Sequence, residues 1–243
     1  LCYLVNIARE EAPEYWTPIR DALQRRYPDY SPTQLAYAMT IEVVLYNARL
    51  LRPVWELTGG AMGYVSLQLS PKMAFNAEAM VSEGKWVWDQ LTAGLDGTPN
   101  CVFKLPGTKA GIEACQELTS GARGVNITVN FSLPQQIAFA GAIESCSTAQ
   151  VSYRTQMDGR IDDPIGDELK EAGVTDWEEV KTWATTAIRQ REYRMLCLPP
   201  TEGGLGFTKS IPLPASGRGP WNVTRSITSG PVPIFLTIFP PRQ

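Results

Sequence analysis

The 243-residue chain contains no histidine. That absence removes Ser-His-Asp and Cys-His nucleophilic mechanisms and every histidine-based metal site. General acid–base work then falls to carboxylates, lysine, tyrosine or ordered water. Cysteine is sparse: Cys2, Cys101, Cys115, Cys146 and Cys197 are five in number and lack C-x-x-C spacing. Reduced, packed thiols in a cytoplasmic protein are the expectation, with no metal and no cofactor. Excess positive charge is missing too. A net charge of −3 and a pI near 5.2 argue against a nucleic acid or an anionic membrane surface as partner. No apolar run approaches the roughly 20 residues that span a bilayer. No G-x-G-x-x-G follows the first strand and no G-x-x-x-x-G-K-[ST] occurs, which weakens nucleotide-binding folds.

The 44% hydrophobic content suffices for one large domain with a single core, spanning residues 1–243. Residues 8–60 read as helical, in two stretches, Ala12 to Tyr27 and Ser31 to Leu51. Ser31 is a good N-cap and a proline follows it. From about residue 60 strand and helix signals alternate. Strands are expected at Tyr64–Ser70, Cys101–Pro106, Val125–Phe131, Gln150–Gln156, Ser210–Ala215 and Ile234–Phe239. Helices are expected at Lys72–Leu91, Lys109–Ser120, Leu133–Ser145 and Asp176–Leu196. Such alternation means βαβ units and a parallel sheet covered on both faces, either open and doubly wound or closed as a (β/α)₈ barrel. Gln68, Lys104, Asn126, Thr128, Thr155 and Arg160 recur inside strands or at their C-terminal ends, where a barrel would gather them at one mouth. The barrel is the expected fold. Six strands are visible where eight are needed, so it reads as incomplete.

Lys104 lies in the middle of the apolar run Cys101-Val-Phe-Lys-Leu-Pro-Gly-Thr108. A desolvated ammonium has a lowered pKa, and a neutral amine in a pocket is a nucleophile for carbonyls. The plainer alternative is a lysine that snorkels to water from a strand end. Asn126-Ile-Thr128 on a parallel strand could likewise serve neighbouring loop backbone. Arg160 could pair with Asp158, Asp162 or Asp163. The tryptophans at 86, 88, 177 and 183 read as helix faces packed on the sheet.

Taken in order, Leu51-Arg-Pro-Val-Trp, Thr58-Gly-Gly, Tyr64-Val-Ser-Leu-Gln-Leu-Ser-Pro71, Phe103-Lys-Leu-Pro-Gly-Thr108, Gly124-Val-Asn-Ile-Thr-Val-Asn-Phe-Ser132 and Asp158-Gly-Arg160 resemble the transaldolase family of class I aldolases. The resemblance runs from near Ala12 to the C-terminus. It implies a (β/α)₈ barrel in which Lys104 forms a Schiff base with a ketose and a dihydroxyacetone unit moves between phosphorylated sugars, the alternatives being an aldolase of the fructose-6-phosphate or sulfosugar type and a non-catalytic remnant of the fold. It also implies Thr128 and Gln68 at catalytic positions, Asn126 and Thr155 on the substrate, and Arg160 and Arg218 on a phosphate or sulfonate. A homodimer is implied as well.

Three departures matter. Thr155 falls where the family has a serine. Gln68 stands where transaldolases carry a glutamate, although small fructose-6-phosphate aldolases also have glutamine there. The family's first-strand aspartate and second-strand Thr-x-Asn-Pro have no counterpart, so the first two strands are expected to be absent and residues are expected upstream of Leu1.

Overall fold

The computed structural model describes Pro13 to Ala215. The expected strand at 234–239 and Arg218 lie outside the described residues. Two N-terminal helices, α1 (Pro13–Arg26) and α2 (Pro32–Leu57), precede β1 (Val65–Gln68), α3 (Ala77–Leu95), β2 (Cys101–Pro106) and α4 (Lys109–Ser120). Then come β3 (Val125–Asn130), α5 (Leu133–Cys146), β4 (Tyr153–Met157), α6 (Asp158–Glu171), α7 (Trp177–Leu196) and β5 (Ile211–Ala215).

Neighbouring strands in the sheet follow chain order, β1-β2-β3-β4-β5, and the pairings from β2 to β5 are parallel. A doubly wound sheet would reverse its strand order at a switch point. Unbroken sequential order is what consecutive βα units of a (β/α)₈ barrel produce. The fold is therefore α/β, a partial (β/α)₈ barrel with five described strands.

By contact density the described chain divides into two compact units. One comprises the residues up to Gln68 with Ser82–Val102, the other Leu69–Val81 with those from Phe103 onward. In the first, Ser31 and Gln34 form a reciprocal capping box at the start of α2, with Pro32 at its first position. Ala38, Ile41, Val44, Leu45 and Ala48 on α2 recur at helical spacing and are buried. The buried Asn100 side chain donates to the carbonyls of Ala48 at 2.9 Å and Gly63 at 2.7 Å. Gly63 sits at φ +83°, and a Cβ there would come within 2.6 Å of the Trp55 nitrogen, so only glycine closes this turn.

In the second unit, Thr108 caps α4 and a Ser132–Gln135 capping box starts α5. Phe103, Leu105 and Ile127 on the sheet pack with Ala114, Cys115 and Leu118 of α4 and Phe139, Ala140 and Ile143 of α5, all essentially without solvent contact. Several expectations shift. The helix expected from Lys72 begins at Ala77 because Pro71–Met73 forms a turn of 3₁₀ helix and Asn76 Oδ1 accepts from the Ala79 N–H. Helix α2 runs six residues beyond its expected end, through Pro53. Helix α6 was not expected at all, since Asp158, Gly159 and Pro164 are weak helix formers. Its partner α7 supplies the tertiary packing that overrides propensity.

On the helix-facing side of β4, Arg154 has no solvent contact and pairs with Glu192 of α7. Arg154 Nε also donates to Ser210 Oγ at 2.8 Å. Arg154 Nη2 and Glu192 Oε2 have no hydrogen-bond partner among the described residues. Burial pushes the Glu192 carboxyl pKa up, and the adjacent Arg154 guanidinium opposes that rise. Breaking such a pair strands a charge, whereas replacing both members removes the desolvation cost with the attraction. Arg154→Met should lower unfolding stability by about 3–5 kcal/mol, with most of the loss recovered in Arg154→Met/Glu192→Met. Urea unfolding midpoints measure both, and equal losses would show that the ion pair is not what holds α7 to β4.

Candidate active site

The pleat sends alternate residues of a strand to opposite faces. On β2 the fully buried Phe103 and Leu105 point to the helices, and the half-buried Lys104 points the other way. On β3 Ile127 faces the helices while Asn126 and Thr128 take the lysine's face. On β4 Arg154 faces α7, so Thr155 joins Asn126. Parallel register then aligns Lys104 with Asn126 and Pro106 with Thr128.

Thr155 Oγ1 donates to Asn126 Oδ1 at 2.5 Å, and Thr128 Oγ1 donates to Met157 Sδ at 3.7 Å. Thr128 thus finds a partner on the neighbouring strand. Burial lowers the Lys104 pKa below the ordinary lysine value, since desolvation disfavours the ammonium. No carboxylate among the described residues lies within 4.0 Å to offset that. The structure brings four sequence-chosen residues, Lys104, Asn126, Thr128 and Thr155, onto one face of three adjacent strands.

Arg218 lies outside the described residues. Arg160 is exposed in the first turn of α6, three residues beyond the end of β4. Asp162, one candidate ion-pair partner for it, is instead buried and accepts from Thr185 Oγ1 at 3.0 Å. Burial raises the Asp162 pKa, an effect opposed by that hydrogen bond and by Arg189. Gln68 is half-buried at the end of β1, in the first unit. Among the described residues no group of three or more Cys, Asp or Glu side chains is placed to hold a metal ion, and no helix is long and apolar enough to cross a membrane.

A model of the transaldolase/fructose-6-phosphate aldolase family matches residues 6–196. The chain belongs to that family. It is 33% identical over 165 residues to transaldolase 1 of Streptomyces avermitilis, an alignment covering 64% of this chain and 42% of that protein. It is 27% identical over 205 residues to a transaldolase of Neisseria meningitidis serogroup C, covering 68% of this chain and 57% of that one. Over 86 residues, 35% of this chain and 22% of the other, identity to transaldolase 2 of Streptomyces avermitilis reaches 44%. The chain thus spans about half the length of the first two curated relatives.

Sequence reasoning missed the backbone that shapes the far end of β3. Val129 adopts φ +54°, in the left-handed region, where a β-branched residue is strained. The register with β4 shifts between Ile127 and Asn130, the mark of a bulge. A Cβ on Gly107 would lie 2.5 Å from the Val129 carbonyl oxygen, so glycine lets the β2–α4 turn approach the bulge. Gln135 ties the two together: its Nε2 donates to the Gly107 carbonyl at 2.9 Å, and its Oε1 accepts from the Phe131 N–H at 3.1 Å. A glycine after the strand and a Ser132-x-x-Gln135 spacing are signals that could have marked the Gly107 and Gln135 side of this, but a valine gives no sign of positive φ. Val129 is half-exposed, so Val129→Gly leaves no cavity. That change should stabilise the protein by about 1 kcal/mol, strain relief of roughly 1–2 kcal/mol outweighing the added unfolded-state entropy. A fall in thermal midpoint would mean that the bulge is held by the valine side chain.

Proposed function

We propose that Lys104 forms a Schiff base with a ketose and that the chain moves a three-carbon dihydroxyacetone unit between phosphorylated sugars. The observation that carries this reading is an amine whose pKa is lowered by burial, in register with Asn126 on the next strand. The neutral amine adds to the ketose C2 carbonyl, and the tetrahedral adduct loses water to leave an iminium. The iminium accepts the electron pair of the C3–C4 bond as that bond breaks, while the C4 hydroxyl gives up its proton and an aldehyde departs. A three-carbon enamine stays on Lys104. It attacks the aldehyde of an acceptor, whose oxygen takes a proton, and hydrolysis returns the free amine.

Residue roles follow the same reading. Thr128 holds a water that carries the C4 proton, and Asn126 and Thr155 line the donor's binding face. Gln68, an amide, has no acid–base role. Arg160 offers its guanidinium fork to the phosphate, or to a sulfonate, at the open end of the strands. Arg218 is a second candidate for that anion. A second copy of the chain as partner is part of the proposal. A second reading, cleavage that releases the three-carbon ketone instead of transferring it, is favoured by the glutamine at position 68.

Borohydride reduction with fructose 6-phosphate should leave an adduct on the Lys104 peptide by mass spectrometry, and an unmodified peptide from folded protein overturns the proposal. Lys104→Met should give none. Only the neutral amine reacts, so trapping should speed up as pH rises and level off below the ordinary lysine pKa of about 10.4. Free dihydroxyacetone accumulating over many turnovers without an acceptor would select cleavage over transfer.

Arg160→Leu should raise KM for the phosphorylated sugar by about tenfold or more and leave dihydroxyacetone little affected, since a charge-assisted fork to phosphate is lost. Equal effects on both substrates would make Arg160 a scaffold residue.

A further inference from the structure

We propose that the β3 bulge builds a hydration site between the sheet and its helices, where ordered water joins the amides of Asn130 and Gln156 to Gln136 and to the Arg154–Glu192 pair. In a regular strand Asn130 would follow Asn126 and Thr128 onto the face of Lys104. The bulge adds one residue, so three steps from Ile127 to Asn130 match two from Arg154 to Gln156. Asn130 is thereby turned to the helix-facing side, in register with Gln156 and one pleat beyond Arg154. A β-branched residue at φ +54° is the strained step that makes the turn.

Asn130 and Gln156 are essentially without solvent contact, and neither end of either amide has a hydrogen-bond partner among the described residues. Because both ends are unmet, turning an amide over would change nothing. Two side chains on the facing helices share that condition. Gln136 of α5 accepts from Arg154 Nη1 through Oε1 at 3.4 Å, while its Nε2 has no partner. Glu192 of α7 has none for Oε2. With Arg154 Nη2 the cluster holds four donor and three acceptor atoms.

Buried polar groups in folded proteins find partners, and ordered water supplies those the chain does not. Charge selects no ion here, since the cations Arg154 and Arg189 interact with the carboxyls Glu192 and Asp162. A mixed set of donors and acceptors suits a molecule that both donates and accepts. A buried water makes about three hydrogen bonds, so about two molecules serve the cluster. A direct bond between Asn130 and Gln156 would leave Gln136 Nε2 and Glu192 Oε2 unmet. The site lies behind the sheet and does not depend on any reaction of Lys104.

The first test is a crystal structure of the unsubstituted chain at a resolution that shows ordered water. Water about 3 Å from an amide atom of Asn130 and of Gln156 is the expected result. Its absence from either amide overturns the proposal, as when the two bond directly to each other. In solution, oxygen-17 relaxation dispersion counts water molecules held inside a protein. Asn130→Leu/Gln156→Met replaces both amides by apolar groups of similar size, so neither is left as an orphan. The double variant should lose about two of these long-lived waters, and an unchanged count in folded protein overturns the proposal. Should the double variant not fold, the crystal structure decides alone.

Discussion

Parallel pairing of β2, β3 and β4 fixes which residues can ever meet. Lys104 opposes Asn126, and Asn126 opposes Tyr153, so each strand's alternation is locked to its neighbour's. Lys104, Asn126 and Thr155 share a face because Phe103, Leu105, Ile127 and Arg154 occupy the other. A slip of one residue would drive the lysine into the helix-packed core and turn Leu105 outward. The apolar contacts with α4 and α5 forbid that slip, so the packing of one face selects the chemistry of the other.

Burial acts on the charged groups in different ways on the two faces. Arg154 and Glu192 are both taken out of water and face each other, so each offsets part of the other's desolvation. Lys104 is partly desolvated with no carboxylate within 4.0 Å among the described residues, and its pKa falls. The paired arginine joins β4 to α7. An unpaired lysine is pushed towards the neutral form that reacts with carbonyls. The same solvent exclusion yields a fastening in one place and a partly desolvated amine in the other.

The strands that carry the cluster were legible because each is a short apolar run broken by one or two polar residues, and the period-two pattern named the faces. Lys104, Asn126 and Thr128 could be placed from that pattern alone. Thr155 depended on locating β4, which begins at Tyr153, not Gln150, and extends to Met157. What stayed hidden depends on long-range partners. Arg154 reads as a surface residue until Glu192, 38 positions later, is brought to it by α7. Helix α6 has poor intrinsic propensity and forms against α7. The left-handed Val129 has no marker in sequence, since glycine or asparagine would be expected there.

Several departures from regular geometry in the second unit fall at the end of the strands where the polar residues lie, although Ala122, before β3, also has a positive φ. The bulge before Asn130, the positive φ of Val129 and the bare Cα of Gly107 all fall within a few residues of Thr128 or Lys104. A regular strand would continue the ladder past Thr128. The bulge interrupts it, and the Gln135 side chain takes up backbone groups of both Gly107 and Phe131. Strain of this kind persists where the surrounding bonds over-determine the backbone, as the capped start of α5 does here. The sheet's regular middle sets the register of the cluster, and its irregular end sets the backbone around Thr128.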